Sequence, residues 1–147
     1  MNIWDFQTRL TRRLLIWSVF SVVFSTLTFF SADSLLRGLA IQFCVWGSID
    51  AGIAIFGAQV SAKKKLKVQE TDLAESETKE IHWLERVLWI NTALDVLYIL
   101  GGLWLMQTKG AESPLWRGHG LGVVIQGGFL FFFDFFHAFS IRNIRPS

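Results

Sequence analysis

The sequence predicts an all-α fold, an antiparallel four-helix transmembrane bundle, built as one domain over residues 1–147. Three observations predict it. Four stretches are mostly apolar for about 20 residues, the length of helix that crosses a hydrocarbon core of about 30 Å. Basic residues gather at one end of those stretches. The chain is 52% hydrophobic, with 14 Phe, 7 Trp and a mean hydropathy of +0.40, a composition that soluble domains of this length do not show. Helix is the expected form of each span because lipid offers no partner for backbone N–H and C=O groups.

The first span is expected at residues 14–30. Before it, Ile3, Phe6 and Leu10 recur at helical spacing, and Trp4 and Arg9 suit the headgroup zone, so residues 1–10 read as an interfacial helix. Ser31, Ala32, Asp33 and Ser34 supply a tight turn and an N-cap for the second span, at residues 35–60, so the first two spans form an antiparallel hairpin. The linker over residues 61–80 carries Lys63, Lys64, Lys65 and Lys67, then turns acidic at Glu70, Asp72, Glu75, Glu77 and Glu80. Asp72 with Glu75 resembles an N-cap pair, and the linker reads as a solvated helical hairpin prolonging its two neighbours. Its lysines read as a cluster facing anionic lipid. The third span is expected at residues 83–106, followed by a short loop at residues 108–113. Ser113 then caps the fourth span, at residues 115–141, with Pro114 at the first helical position.

Orientation follows from charge. With the N-terminus inside, Arg9, Arg12, Arg13, Lys63, Lys64, Lys65, Lys67, Lys79, Arg86, Arg142 and Arg145 are cytoplasmic, and Arg37, Lys109 and Arg117 are outside. The positive-inside rule selects that arrangement: both termini and the linker cytoplasmic, in a multi-pass protein of the cell (inner) membrane. A cleaved signal peptide fits less well, because the run to Phe30 is long and Phe29 and Phe30 suit a cleavage site poorly.

Several functions are disfavoured. A net charge of +2, clustered at the ends of apolar runs, does not describe a nucleic-acid surface. The single cysteine, Cys44, has no thiol partner and reads as a packing residue. His137 and His119 lie at opposite ends of the fourth span and His82 at the inner end of the third, which does not suit bis-histidine haem ligation. No cofactor, metal site or catalytic residue is expected, since no HExxH, dithiol, phosphate loop or nucleophile elbow is present.

Within the spans, Asp50, Asp95, Asp134 and His137 stand out, because ionisable groups cost about 2.5 to 3.5 kcal/mol each on insertion scales. Asn91, Asp95, Tyr98 and Gly102 share one face of the third span, and Gln126, Leu130, Asp134 and His137 make a comparable stripe on the fourth. These stripes are expected to be buried against each other and against Gln42 and Asp50 of the second span. From the helical rise, Asp95 lies about 14 Å beyond Arg86 and Asp134 about 12 Å from Arg142, at similar levels in the inner half. No Lys or Arg is expected at that depth, so the carboxyls must be protonated, share protons, pair with His137 or hold a cation. The plainer interpretation is interhelical hydrogen bonding by a polar core. The seven phenylalanines around Asp134 suit lipid contact, and Gly118 and Gly122 make a small-xxx-small step for helix packing.

Gly38, Ile41, Gln42 and Asp50 align with Gly122, Ile125, Gln126 and Asp134, which raises the option of a duplicated helical hairpin whose halves keep one orientation. The segments Trp46 to Asp50 and Gly120 to Gly128, continuing to Asp134 and His137, resemble a family of small four-span bacterial proteins of unknown function. The resemblance covers the second and fourth spans and implies the four-helix fold and a membrane address, without an activity. The function expected is that of a membrane scaffold or accessory subunit with a buried polar core, in a homo-oligomer or larger complex within the bilayer. The alternative is a proton-coupled or cation transporter that uses Asp50, Asp95 and Asp134, with His137 as the inner proton exchanger.

Overall fold

A computed structural model describes residues 1–31, 33–68 and 72–144. Ala32 of the expected turn, Glu70 of the acidic run and Arg145 of the basic set lie outside the described residues. The described residues are all-helical, in the order α1 (Ile3–Phe29), α2 (Ser34–Lys67), α3 (Leu73–Gln107), α4 (Lys109–Glu112) and α5 (Pro114–Ile141). Four of the five are long and apolar enough to cross a membrane.

The helices start where side chains can satisfy their first amides. Asn2 Oδ1 accepts from Asp5 N–H at 2.9 Å, and Asp33 Oδ1 accepts from Leu35 and Leu36 at 2.8 and 3.1 Å. Two expected caps differ. Asp72 and Ser113 occupy the N-cap positions of α3 and α5, but neither side chain makes a capping bond. Pro114 stands in the first turn of α5 as its missing N–H allows. The expected loop at 108–113 is in part the single turn α4, whose ends bond back to Trp104 O and Lys109 O.

Packing runs α1 on α2, α2 on α5 and α5 on α3. Residue spacing along the seams is legible from close approaches. Between α1 and α2, Gln7 meets Ser61, Thr11 lies beside Gly57, and Ser18 and Ser21 lie against Gly47. Between α3 and α5, Gly102 abuts Gly120 and Val124, while Gly127 faces Asp95, Tyr98 and Ile99. The α2–α5 seam is closest at its glycine end. A Cβ on Gly38 would collide with the backbone of Leu115 and His119, and one on Gly118 with the backbone of Leu35 and Leu39. Gly122 lies under the Gln42 side chain, where a Cβ would come within 2.5 Å of Cβ. Gly118 and Gly122 thus pack as their spacing predicts. The seam pairs residue 38 with 118 and 42 with 122, a register near 80, whereas the sequence repeat has a register of 84. The matched residues of the repeat therefore sit about one turn out of level, so this seam is not a two-fold contact between equivalent positions.

The opposite end of the molecule holds the start of α1, the end of α5 and the largest apolar core: Ile3, Trp4 and Phe6 pack with Ile81, Leu84, Leu88, Ala138, Ile141 and Ile144. This corrects the interfacial helix expected at residues 1–10. Residues 3–10 are the first turns of α1 itself, and their apolar face is buried by protein. The linker is corrected in part as well, because Glu77 and Glu80 are buried rather than solvated. Gln7 explains Glu80: its amide donates to Glu80 Oε1 at 2.8 Å, its own oxygen accepts from Ser61, and Lys64 Nζ meets Glu80 Oε2 at 2.8 Å. One carboxylate thereby joins α1, α2 and α3. On the outside the pattern inverts that of a soluble bundle, with Ile16 61%, Phe56 69%, Leu97 62% and Phe136 61% exposed.

Candidate functional site

The tight glycine seam lets α2 and α5 meet at one end, and toward the other the side chains grow and a cavity of about 170 Å³ opens between them. Asp50 and Trp46 of α2 reach it one turn apart, and Asn91, Asp95 and Tyr98 of α3 reach it along the face their spacing predicts. Asp134 of α5 completes the polar wall, while Leu14 of α1, Leu130 and Phe133 close the side. α2 and α3 make no direct backbone contact, so the chamber separates them and their side chains meet across it: the Trp46 and Tyr98 rings are 4.9 Å apart, edge to face.

Asp50, Asp95 and Asp134 are 2%, 3% and 8% exposed, and no Lys, Arg or His lines the chamber among the described residues. Asp134 shares the chamber wall with Asn91 and Asp95. One oxygen of Asp95 and one of Asp50 are buried without a hydrogen-bond partner. Unpaired buried carboxyl oxygens are costly unless a proton or a cation meets them. Among the described residues no three His, Cys, Asp or Glu side chains group closely enough to hold one metal ion.

Three residues expected beside the aspartates are elsewhere. His137, although only one turn from Asp134, turns toward α1: its Nδ1–H donates to Phe133 O at 2.6 Å and its Nε2 accepts from Arg13 Nη1 at 3.2 Å. Of the options the sequence leaves open, pairing of a carboxyl with His137 is not formed; its ring meets a cation instead, which as a pure donor takes the neutral imidazole. Gln126 is fully buried but bonds across to α1, accepting from Trp17 Nε1 at 2.8 Å and donating to Ser21 Oγ at 3.1 Å. Gln42 lies at the glycine end, where its amide donates to Nδ1 of His119 at 3.0 Å. His82 bonds Thr78 O within its own helix, so the three histidines sit in three separate places.

Sequence reasoning missed Trp46 and Arg13. Trp46 precedes Asp50 by four residues, a spacing that already places both on one face. In the sequence Arg13 reads as a charge that sets orientation; its side chain reaching α5 is a tertiary contact, 124 residues away in sequence, that periodicity along α1 cannot reveal.

Comparison with known proteins agrees with the coarser part of the resemblance read from the second and fourth spans, that to a family without a described activity. No curated protein and no solved structure matches the chain. One family model does, over residues 13–135, a stretch that contains the whole chamber and both glycine seams, and the chain belongs to that family, the family of unknown function DUF6992.

Proposed function

We propose that the protein is an integral membrane protein, an antiparallel four-helix bundle with both termini cytoplasmic, whose chamber binds a small cation of the ammonium class. The observation that carries this reading is the convergence of Asp50, Asp95 and Asp134 on one cavity with no basic side chain in its wall. Supporting the membrane assignment are the four long apolar helices, their exposed apolar exteriors and the gathering of basic residues at the end that holds the termini. Supporting the ligand class are the unpaired oxygens of Asp50 and Asp95, which accept N–H donors, and the Trp46 and Tyr98 rings, whose faces attract an organic cation. Intramembrane acids facing a shared cavity are the usual parts of a substrate or proton path, so cation movement across the bilayer is the activity this reading implies.

The test is binding of methylammonium to purified protein in lipid nanodiscs, followed by calorimetry, for the natural sequence and for Asp95→Asn and Asp134→Asn. Saturable binding that both variants lose while keeping their helix content is expected. Equal heats for all three proteins, or none for any, would sink the reading.

A second reading, a membrane scaffold or accessory subunit, is favoured by one observation. α2 and α3 are 34 and 35 residues long, about 51 and 52 Å, and so extend well beyond a hydrocarbon core of about 30 Å. The Gln7–Glu80–Lys64 cluster braces that extension and would present it to a partner chain. Native mass of the protein taken from its own membranes in mild detergent tests this: a stable larger complex is expected, and a lone monomer or dimer counts against it.

A further inference from the structure

α1 and α5 touch at few places, and between them runs a crevice open along the flank of the bundle. It consists of two adjoining cavities of about 570 and 440 Å³ that share Arg13, Phe129 and Phe133. The crevice is apolar along its length. Trp17 stacks flat on Phe129, with ring centroids 3.8 Å apart, and is held there by its bond to Gln126. Phe132 lies on the exposed side, and Phe133 forms the partition between the crevice and the aspartate chamber. Its charge is confined to one spot, where Arg13 leans on neutral His137.

Arg13 makes no ion pair among the described residues; the three ion pairs formed there involve Lys64, Lys79 and Arg142. A guanidinium has five N–H donors, and the contact with His137 uses one. Arg13 lines both cavities and stands at the start of the first apolar run, so its other donors are available beside an apolar crevice. An amphiphile with a single anionic head and a long apolar tail matches that layout. The free donors match a phosphate oxygen pair, and the phenylalanine-lined trough matches an acyl chain. A peptide would need partners for its backbone amides, and the trough supplies none beyond the Arg13 end.

We propose that the α1–α5 crevice seats one anionic phospholipid, its phosphate held by Arg13 and one acyl chain lying over Trp17, Phe129 and Phe133. The proposal rests on the membrane assignment and not on the cation chamber. Arg12, adjacent in sequence and exposed, serves as an internal control for charge alone. Gly128 lines the crevice, and a Cβ there meets no atom within 4 Å, so a larger side chain fills the trough without striking the bundle.

The experiment is native mass spectrometry of delipidated protein in neutral detergent, titrated with phosphatidylglycerol or with phosphatidylcholine of the same chains. The natural sequence should retain one phosphatidylglycerol in preference to phosphatidylcholine. Arg13→Gln should weaken that binding by roughly tenfold or more, the scale of a charge-assisted hydrogen bond, and Arg12→Gln should change it by less than about twofold. Gly128→Leu should abolish retention with circular dichroism unchanged, which separates a blocked seat from a misfolded chain. Equal losses in Arg12→Gln and Arg13→Gln, equal retention of the two lipids, or full retention by folded Gly128→Leu would each overturn the proposal. Asp134→Asn should leave lipid retention intact, so failure of the cation site and of the lipid seat are read separately; a chain soluble without detergent would overturn both.

Discussion

Replacing Gly118 by Ala adds one methyl group where the structure has no room for it. The new Cβ would collide with the Leu35 carbonyl and come within 3.0 Å of the Leu39 N–H nitrogen, both backbone atoms of α2 held in the helical ladder. Neither can rotate away, so α2 and α5 must separate along the seam, losing contact at Gly38 and Gly122 as well. Overpacking of this kind costs about 1 to 3 kcal/mol, and the figure belongs at the upper end where backbone is struck. The control is Gly101→Ala, in α3, where a Cβ meets nothing within 4 Å. There the substitution removes only the flexibility of glycine and should stabilise the helix by about 0.5 to 1 kcal/mol. The two single changes are thus predicted to differ by about 2 to 4 kcal/mol in opposite directions. The assay is reversible unfolding in mixed micelles of mild detergent and SDS, followed by tryptophan fluorescence. The double variant Gly38→Ala, Gly118→Ala should cost less than the sum of its parts, since the first methyl already parts the helices. A Gly118→Ala protein as stable as the Gly101→Ala protein would refute the close seam and, with it, the argument that the seam sets the chamber's width.

Glu80→Ala removes the carboxylate that Gln7 and Lys64 share and leaves the Gln7 amide without its acceptor. A loss of about 1 to 3 kcal/mol is expected by the same unfolding assay, with faster proteolysis at residues 61–80. Trp17→Phe deprives the fully buried Gln126 of its donor and should cost a similar about 1 to 3 kcal/mol, whereas Trp17→Phe combined with Gln126→Leu should recover most of it, because no amide oxygen is then stranded. At the exposed start of α3, the Lys79 side chain holds the Glu75 carboxyl below its usual range by hydrogen bond and charge. That contribution is present at neutral pH and fades as pH falls through the lowered value. Lys79→Ala should raise the Glu75 titration midpoint measured by NMR and leave the unfolding curve where it was, since exposed pairs of this kind add little.

The four long helices were legible because about 20 apolar residues in a row admit few other structures, and the turn at Asp33 and the proline at 114 mark their starts with local chemistry. The five residues Asp50, Asn91, Asp95, Tyr98 and Asp134 that share the chamber were legible for the same local reason: helical spacing places them on faces, and acids in apolar runs must turn inward. What the sequence hid depends on partners far along the chain. Residues 3–10 carry too narrow an apolar stripe to announce burial, and only Ile81, Leu84 and Ile141 coming together at the same end make it a core. Glu77 and Glu80 look solvated among lysines, and Glu80 is buried because Gln7 reaches it from 73 residues away. His137 shares a helical face with Asp134 in periodicity, yet the pull of Arg13 from α1 turns its ring the other way.

The contrast between amides and acids bears on why the aspartates are there. Deep between the helices, several of the bonds are made by amides and a hydroxyl: Gln126 to Trp17 and Ser21, Gln42 to His119, each with its partners at bonding distance. Asp50 and Asp95 are buried as deeply and leave oxygens unmet. Three acids cost about 8 to 10 kcal/mol on insertion scales, against a measured average of about 0.6 kcal/mol for an interhelical hydrogen bond. Cross-bracing could be had at far lower cost by Asn in the same places, and Asn91 shows that the chamber tolerates one. A carboxyl offers what an amide cannot, a site that can release a proton or meet a cation with full charge. On the proposed cation-binding reading, these three side chains serve a ligand that comes and goes, and the close glycine seam helps to set the space it occupies.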